Sequence, residues 1–235
     1  MITQLKPIDN RRLYQQIADQ IRALIKQGDF SVGDRLPPER DLAQQLGVSR
    51  PSVREALIAL EVDGSVEVRM GAGVYVCAGS DRSAQTNASL GESPIELMQT
   101  RSALEGCIVS LACALATPEG FAQVAKATDD MRAAIAGNRS PLEDDRAFHL
   151  AIAALTGNSV MRRLVGELFD ERHSPTSSQL SVRSESMQTW NEALREHEAI
   201  LRALESRDVL AAQTAMRWHL QASQDRWVAS RREWS

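Results

Sequence analysis

The sequence of 235 residues has few cysteines, few aromatic residues and no long apolar run. Cys77, Cys107 and Cys113 lack the paired spacing of a zinc finger, so we expect small buried thiols in a reducing compartment. No apolar stretch approaches the roughly 20 residues that a membrane-spanning helix needs. The first residues, MITQLKPIDN, lack the features of a signal peptide. We therefore expect a cytoplasmic protein with no membrane partner.

Basic charge is not in excess either. The net charge is −4, and basic residues do not outnumber acidic ones within residues 1–77. Such a chain does not hold nucleic acid by bulk attraction and would bind DNA only through individually placed contacts. Hydrophobic residues make up 43% and aromatic residues 4% of the chain, which favours one or two helical domains with a sizeable core.

Residues 35–57, RLPPERDLAQQLGVSRPSVREAL, carry the start and stop signals of two short helices. Pro37 and Pro38 suit a helix start, and Gly47 suits a left-handed helix end. Ser49 is then well placed to cap the next helix. Two helices separated by so short a turn form the helix-turn-helix pattern, whose second helix presents its first residues to the major groove of DNA.

The polar residues around this turn are candidates for DNA contact. We expect those of the second helix to point away from the buried stripe that begins at Val53. Arginine can hold guanine through two hydrogen bonds, and short hydroxyl groups reach phosphates. The alternative for a single arginine is an ordinary solvated or ion-paired surface role, but four arginines bracket this one turn. They are Arg35, Arg40, Arg50 and Arg54.

A β-hairpin is predicted directly after the two helices. Residues 65–69, SVEVR, alternate in polarity, Gly71 and Gly73 supply a tight turn, and residues 74–76 form the returning strand. A further helix is predicted over residues 13–26. These elements together make a winged helix-turn-helix, in which the glycine turn can approach the DNA backbone.

The run LPPERDLAQQLGVSRPSVREALIALEVDGSVEVRMGAGVYV resembles the DNA-binding domain of the GntR family of bacterial transcriptional regulators. The resemblance implies contacts with double-stranded operator DNA from Arg40, Ser49, Arg50, Ser52, Arg54 and Gly71. Arg35 completes the predicted set because it is the first of the four arginines at the turn.

The second half of the chain follows a linker. Residues 78–93 contain only one large apolar residue, which indicates a connecting segment. From Pro94 onwards the pattern is helical, except for a polar stretch around Pro175 that we predict as a loop. The fold class is therefore mainly α. A winged helix-turn-helix with a small β-hairpin spans residues 1–77, and an all-α bundle of six to seven helices spans residues 94–235.

All four histidines lie in the helical domain. Asp145 and His149 are four residues apart, so they share a helix face at the spacing where two side chains can hold one ion. His197 and His219 lie in the middle of the last two helices and turn inward if those helices pack side by side. One carboxylate and three imidazoles suit Zn²⁺, with Ni²⁺ or Mn²⁺ as alternatives. Ordinary partial burial is the alternative for a lone histidine, and it is our expectation for His173.

Two segments of this domain, DRAFHLAIAALTGN and EHEAILRALESRDVLAAQTAMRWHL, resemble the FCD effector-binding domain of FadR-subfamily GntR regulators. The resemblance implies that the aspartate and the three helical histidines named above are metal ligands. It also implies a small carboxylate effector beside the metal, held by Arg101. An ion pair with Glu105, one turn later on the same helix, is the alternative role for Arg101.

The two resemblances predict a transcriptional regulator that binds a palindromic operator as a homodimer. A hydroxy-, keto- or sugar-acid at the metal would change operator affinity, most commonly by relieving repression. Three alternatives stay open: a metal-dependent enzyme, a sensor of the metal itself, and a purely structural metal. Against an enzyme, no general base is evident, since Glu196 and Glu198 flank His197 on other faces of its helix.

Overall fold

The computed structural model describes residues 12–69, 71–78 and 91–229. These residues form ten α-helices and one two-stranded antiparallel sheet, and no helix within them is both long and apolar enough to cross a membrane. The chain divides into two compact units with a boundary between Ser93 and Pro94. The predicted fold class, mainly α, is confirmed. Most of the predicted linker, residues 79–90, lies outside the described residues.

The first unit consists of three helices followed by the hairpin. The helices are α1 (Leu13–Gln27), α2 (Glu39–Leu46) and α3 (Arg50–Val62), and the strands are β1 (Val66–Arg69) and β2 (Gly73–Val76). The strands are antiparallel, with Val66 opposite Val76. Gly47 ends α2 with φ of 67°, and the Ser49 side chain caps α3 by accepting a hydrogen bond from the Ser52 backbone. The predicted helix-turn-helix and hairpin are therefore present.

Apolar side chains from all of these elements form the core of the first unit. The buried residues include Ile17, Ile21, Leu42, Val53, Ala56, Leu57, Leu60, Val66 and Val76. The stripe on α3 packs at the centre of this core, as its spacing predicts. Packing along α3 thus fixes the helix while Arg50, at its first position, stays exposed.

The second unit contains the remaining helices. They are α4 (Pro94–Leu115), α5 (Pro118–Ala136), α6 (Leu142–Leu155), α7 (Ser159–Asp170), α8 (Pro175–Ser184), α9 (Met187–Glu205) and α10 (Val209–Ala229). Thr117 caps α5 and Asn158 caps α7 through hydrogen bonds from backbone N–H groups. The longest pairing runs between α4 and α10, while α5 packs against α6 and α9. These contacts bring the middles of α6, α9 and α10 together.

The polar stretch around Pro175 is not a loop, so that prediction is wrong. A 3₁₀ turn (Glu171–His173) and the helix α8 occupy it. The sequence of α8, PTSSQLSVRS, has no apolar helical period, which is why the pattern failed to show a helix. Thr176 and Ser177 are nonetheless completely buried. Tertiary packing rather than intrinsic propensity therefore accounts for this helix.

A buried ion pair joins α2 to α3. Nε and Nη2 of Arg54 donate to the carboxylate of Glu39 at 3.0 and 2.7 Å, and both side chains are only 9% exposed. The sequence predicts only that Arg54 points away from the apolar stripe, and the structure shows that the side chain is buried there against Glu39. Helix α2 packs against α3 and brings an acidic residue of its first turn to the guanidinium group, a contact that the sequence of α3 alone does not reveal.

Glu39→Gln is expected to destabilise the packing of α2 on α3 by about 3 kcal/mol, because it removes the carboxylate from a buried arginine. Hydrogen exchange at the backbone amides of α2 and α3 measures the loss. The matched control is Glu67→Gln, which breaks an exposed ion pair with Arg69 on β1 and should leave exchange in α2 and α3 close to that of wild type. Equal effects of the two substitutions would contradict the structural role assigned to the buried pair.

Candidate functional site

Most residues predicted to contact DNA lie at the surface of the first unit. Arg35, Arg40, Ser49 and Arg50 are exposed, and Ser52 is half-buried. The Arg40 side chain is 78% exposed. The hydroxyl groups of Ser49 and Ser52 lie 2.8 Å apart at the start of α3. Hydroxyl and guanidinium groups are thus accessible around the turn between α2 and α3.

The hairpin turn is formed around two glycines with positive φ. Gly71 is exposed with φ of 69°, and Gly73 has φ of 112°. A Cβ atom on Gly73 would lie 2.5 Å from Nε of Arg35, so a larger residue there would displace the arginine. Arg35 also forms an isolated antiparallel bridge with Tyr75. The sequence revealed the turn but not this contact, because it joins segments far apart in the chain.

Asp145, His149, His197 and His219 come together inside the second unit. Each offers one donor atom, and the four donor atoms lie within 4.8 Å of one another. The aspartate and the first histidine are on α6, and the other two histidines are on α9 and α10. The three imidazoles are buried, and the aspartate side chain is 13% exposed. The structure therefore gathers the same four residues that the sequence singles out.

The donor atoms are better suited to a metal ion than to one another. Nε2 of His149 and Nε2 of His197 lie 3.3 and 3.2 Å from Oδ1 of Asp145. None of these three buried atoms makes a well-directed hydrogen bond with any described residue. Buried polar atoms left in this state are costly, and imidazole nitrogens with a carboxylate oxygen are a preferred ligand set of Zn²⁺. The four residues fit a divalent metal ion.

Two carboxylates contact the imidazoles from the side away from the cluster. Oε2 of Glu105 lies 2.5 Å from Nδ1 of His149, and Oε2 of Glu196 lies 2.7 Å from Nδ1 of His219. A carboxylate at Nδ1 favours the tautomer in which Nε2 is free to bind a metal, and it fixes the ring orientation. The ring of His219 is thus oriented for metal binding by a hydrogen bond, whereas Glu105 lies close to Nδ1 of His149 without a well-directed hydrogen bond.

Each of these carboxylates is in turn held by an arginine. Nε of Arg101 donates to Oε1 of Glu105 at 2.7 Å, which is the ion pair considered above as the alternative role of Arg101. Nη1 and Nη2 of Arg226 donate to the two oxygens of Glu196 at 2.6 and 3.0 Å. The four-residue spacing could indicate the first pair. The second was missed because its members lie on different helices.

Burial and charge set the protonation of the cluster. Burial acts to raise the pKa of Asp145, but the neighbouring imidazoles outweigh it and hold that pKa well below its usual range. Burial likewise acts to raise the pKa of Glu105, but the positive charge of Arg101 outweighs it, and the pKa of Glu105 falls to about 2. Burial lowers the pKa of His219 to about 3 and lowers the pKa of His197 as well. The carboxylates are therefore ionised and these two imidazoles neutral at neutral pH. Burial acts to lower the pKa of His149 as well, but Glu105 and Asp145 outweigh it and raise that pKa, so a bound cation would have to displace a proton from this imidazole.

A cavity of about 60 Å³ adjoins the cluster. Asp145, His219 and two arginines, Arg172 and Arg226, form part of its wall. Nη1 of Arg172 donates to Oδ2 of Asp145 at 3.0 Å, while its Nε is buried and has no hydrogen-bond partner among the described residues. Other polar or aromatic residues of the wall are Ser140, Ser184, Glu185, Thr189, Trp190, Ser223 and Trp227.

Arg101, the residue predicted to hold the effector, is not part of this wall. It is 1% exposed, and its guanidinium group packs over the ring of Phe169 at 4.9 Å. Its Nη2 atom is buried without a hydrogen-bond partner within the described part of the chain. The arginines of the cavity wall are Arg172, on the 3₁₀ turn, and Arg226, on α10, whereas the resemblance assigned the effector contact to α4. No spacing in the sequence identifies these two arginines.

Both units match known families. Residues 13–76 match the bacterial regulatory proteins of the gntR family, and residues 96–222 match the FCD domain. The chain belongs to the GntR family. One GntR relative, the Uxu operon transcriptional regulator of Escherichia coli (strain K12), is 38% identical over 218 residues, which cover 90% of this chain and 85% of the relative. The Exu regulon transcriptional regulator of the same strain is 36% identical over 218 residues, covering 90% and 83%.

A solved structure, E. coli McbR/YncC, has a similar fold. It matches with a TM-score of 0.53 and 21% identity, over 93% of this chain and 98% of that chain. The relatives named above are transcriptional regulators and not enzymes. This GntR protein is therefore a transcriptional regulator with an FCD effector domain, and the alternative of a metal-dependent enzyme is not supported.

Arg50→Ala is expected to weaken operator binding by about 1–3 kcal/mol, because an exposed arginine at the start of α3 can pair with guanine. Thermal stability should stay unchanged. Arg54→Ala should lower both operator affinity and stability, because it also breaks the pair with Glu39. Fluorescence anisotropy with an operator fragment selected from random DNA, and melting followed by circular dichroism, measure the two effects. A destabilised Arg50→Ala or a fully stable Arg54→Ala would contradict these roles.

Proposed function

We propose that this protein is a repressor that binds a palindromic operator as a homodimer and is controlled by a small carboxylate at a divalent-metal site. Each chain carries one recognition helix, α3, so two chains are needed to read the two half-sites of a palindrome. The proposed DNA contacts are Arg35, Arg40, Ser49, Arg50, Ser52, Arg54 and Gly71. The support for the exposed members is the accessible surface at the turn between α2 and α3 and at the hairpin turn. Arg54 would have to contact DNA from its buried position beside Glu39.

The metal proposed is Zn²⁺, with Ni²⁺ or Mn²⁺ as alternatives, held by Asp145, His149, His197 and His219. The single observation that carries this proposal is the convergence of four donor atoms within 4.8 Å beside a cavity. A metal bound there would supply a Lewis-acidic centre to which an anionic ligand can attach. The chain's own residues orient the imidazoles and keep the carboxylates ionised.

The cavity wall supports an acid as the ligand. Nε of Arg172 is buried without a hydrogen-bond partner among the described residues, so a carboxylate placed there would satisfy it. Arg101 does not line the cavity, but its Nη2 atom is buried without a hydrogen-bond partner among the described residues, so Arg101 remains the effector contact that the resemblance implies. Hydroxyl side chains and Glu185 on the wall suit the hydroxyl groups of a hydroxy- or sugar-acid.

The volume of the cavity bears on the size of the acid. A space of about 60 Å³ holds roughly four waters, which is enough for a short hydroxy- or keto-acid. A six-carbon sugar acid is larger than this space and would extend beyond it unless the wall moves outward. Such an acid would bind the opened state more tightly and shift the protein towards it, which is the differential binding that control of operator affinity requires.

A panel of acids tests the ligand proposal. The zinc-loaded protein is melted with glycolate, lactate, pyruvate, gluconate and glucuronate, in parallel with Asp145→Ala. A ligand at about 100 times its dissociation constant should stabilise the native state by about 2.7 kcal/mol, a shift of a few degrees, since binding favours the folded state by mass action. One acid that stabilises the wild type but not Asp145→Ala would support binding at the metal, and its effect on operator affinity gives the direction of control. If no acid acts, the ligand proposal fails.

His219→Ala is expected to lose bound zinc after dialysis, because it removes one of four ligands. The control is His173→Ala, which alters an exposed histidine on the 3₁₀ turn and should retain the metal. Zinc content by elemental analysis and operator affinity by anisotropy are measured together. Operator binding of ligand-free His219→Ala should stay close to wild type. A change in operator binding on chelation alone would favour a sensor of the metal, and unfolding would favour a structural ion.

A further inference from the structure

Arg226 belongs both to the cavity wall and to the surroundings of the metal ligands. It lies on α10, two turns after His219, so the two side chains share a helix face. Its Nη1 and Nη2 atoms donate to both oxygens of Glu196, and the same side chain lines the cavity beside Asp145. Arg172, the other arginine of the wall, differs in that it donates directly to Asp145, a proposed metal ligand.

Glu196 connects Arg226 to His219. Its Oε2 atom accepts from Nδ1 of His219 at 2.7 Å and from Nη2 of Arg226 at 3.0 Å. The carboxylate is buried, so its orientation depends on these few partners. If the guanidinium group is removed, the carboxylate loses both hydrogen bonds from Arg226 and with them the geometry that orients the imidazole.

We propose that Arg226 is a positioning residue that sets the metal affinity of His219 through Glu196 and links that affinity to occupancy of the cavity. The proposal rests on the metal site proposed above. Outer hydrogen bonds of this kind orient the metal-binding ring and raise its basicity, and their loss typically weakens metal affinity without removing any ligand.

The link to the cavity follows from shared hydrogen-bond donors. Arg226 uses two of its five N–H donors on Glu196, so an acid in the cavity that takes either of them would alter the orientation of His219. By thermodynamic reciprocity, a metal ion that requires the ordered imidazole then alters the affinity for the acid to the same degree. Arg172 is a less selective probe because it contacts Asp145, which is itself a proposed ligand.

The test measures zinc affinity of the full chain by competition with a chromogenic chelator. The proteins are wild type, Arg226→Gln, Glu196→Gln, the double variant and Asp145→Ala. We expect Arg226→Gln and Glu196→Gln each to weaken zinc binding about tenfold or more. The double variant should bind zinc as tightly as the single variant of lower affinity, because both substitutions act through one hydrogen-bonded unit. Arg226→Lys keeps the charge but not the bidentate geometry, so its zinc affinity should fall between those of wild type and Arg226→Gln.

The control is Arg146→Gln, which removes a similar arginine fork from Asp170 at 2.7 and 2.8 Å on the exposed side of α6 and α7. It should bind zinc within about twofold of wild type. The inference on Arg226 would be overturned if Arg226→Gln binds zinc as tightly as wild type, or if the losses of zinc affinity of the two single variants add in the double variant. The proposed metal site would still stand in either case, provided that wild type binds zinc. Absence of zinc binding by wild type would overturn both. If Arg226→Gln has a lowered melting temperature, the zinc affinity of Arg226→Lys is the deciding measurement. A zinc affinity equal to that of wild type contradicts the proposal, and a zinc affinity between those of wild type and Arg226→Gln supports it.

Discussion

The free-energy cost of burying charge governs the interior of the helical unit. The carboxylate of Asp145 lies almost out of solvent, where an isolated charge would be strongly unfavourable. Its neighbours are accordingly three imidazoles and the guanidinium group of Arg172. Two of those imidazoles contact further carboxylates, and each of these carboxylates contacts an arginine. The centre of the bundle is thus a network in which carboxylates alternate with imidazole and guanidinium groups, and packing of α4, α6, α9 and α10 must preserve it.

The same constraint operates in the DNA-binding unit. Arg54 and Glu39 join α3 to α2, and Arg22 joins α1 to the end of α3 through Asp63 at 2.9 and 2.7 Å. Asp63 also accepts a hydrogen bond from the backbone N–H of Ser65, just before β1. The recognition helix is therefore held near both of its ends by buried ion pairs as well as by its apolar stripe. A helix fixed in this way presents its first turn in a defined orientation.

Local signals in the sequence were sufficient for many elements. Gly47 and Ser49 indicated a helix end and a helix start, and the spacing of Asp145 and His149 indicated a shared helix face. The helix α8 was not predictable, because its polar residues become buried only through contacts with other elements. The burial of Arg54 and the contacts of Glu196 could not be predicted for the same reason. Glu196 does lie on a different face of α9 from His197, but that face meets α10, and only the packed structure reveals what stands there.

Arg172 lies on the short 3₁₀ turn between α7 and α8, and several other residues of the cavity wall precede α6 or lie between α8 and α9. The four candidate metal ligands, in contrast, are carried by long helices. The part of the wall outside the helices, at Ser140, Pro141 and Glu185, can consequently accept substitutions while the candidate metal ligands remain unchanged. Substitutions in this part offer a route by which one scaffold acquires new chemical signals, and a means of redesigning it as a biosensor, whereas changes on α10 would affect Arg226 and His219 as well.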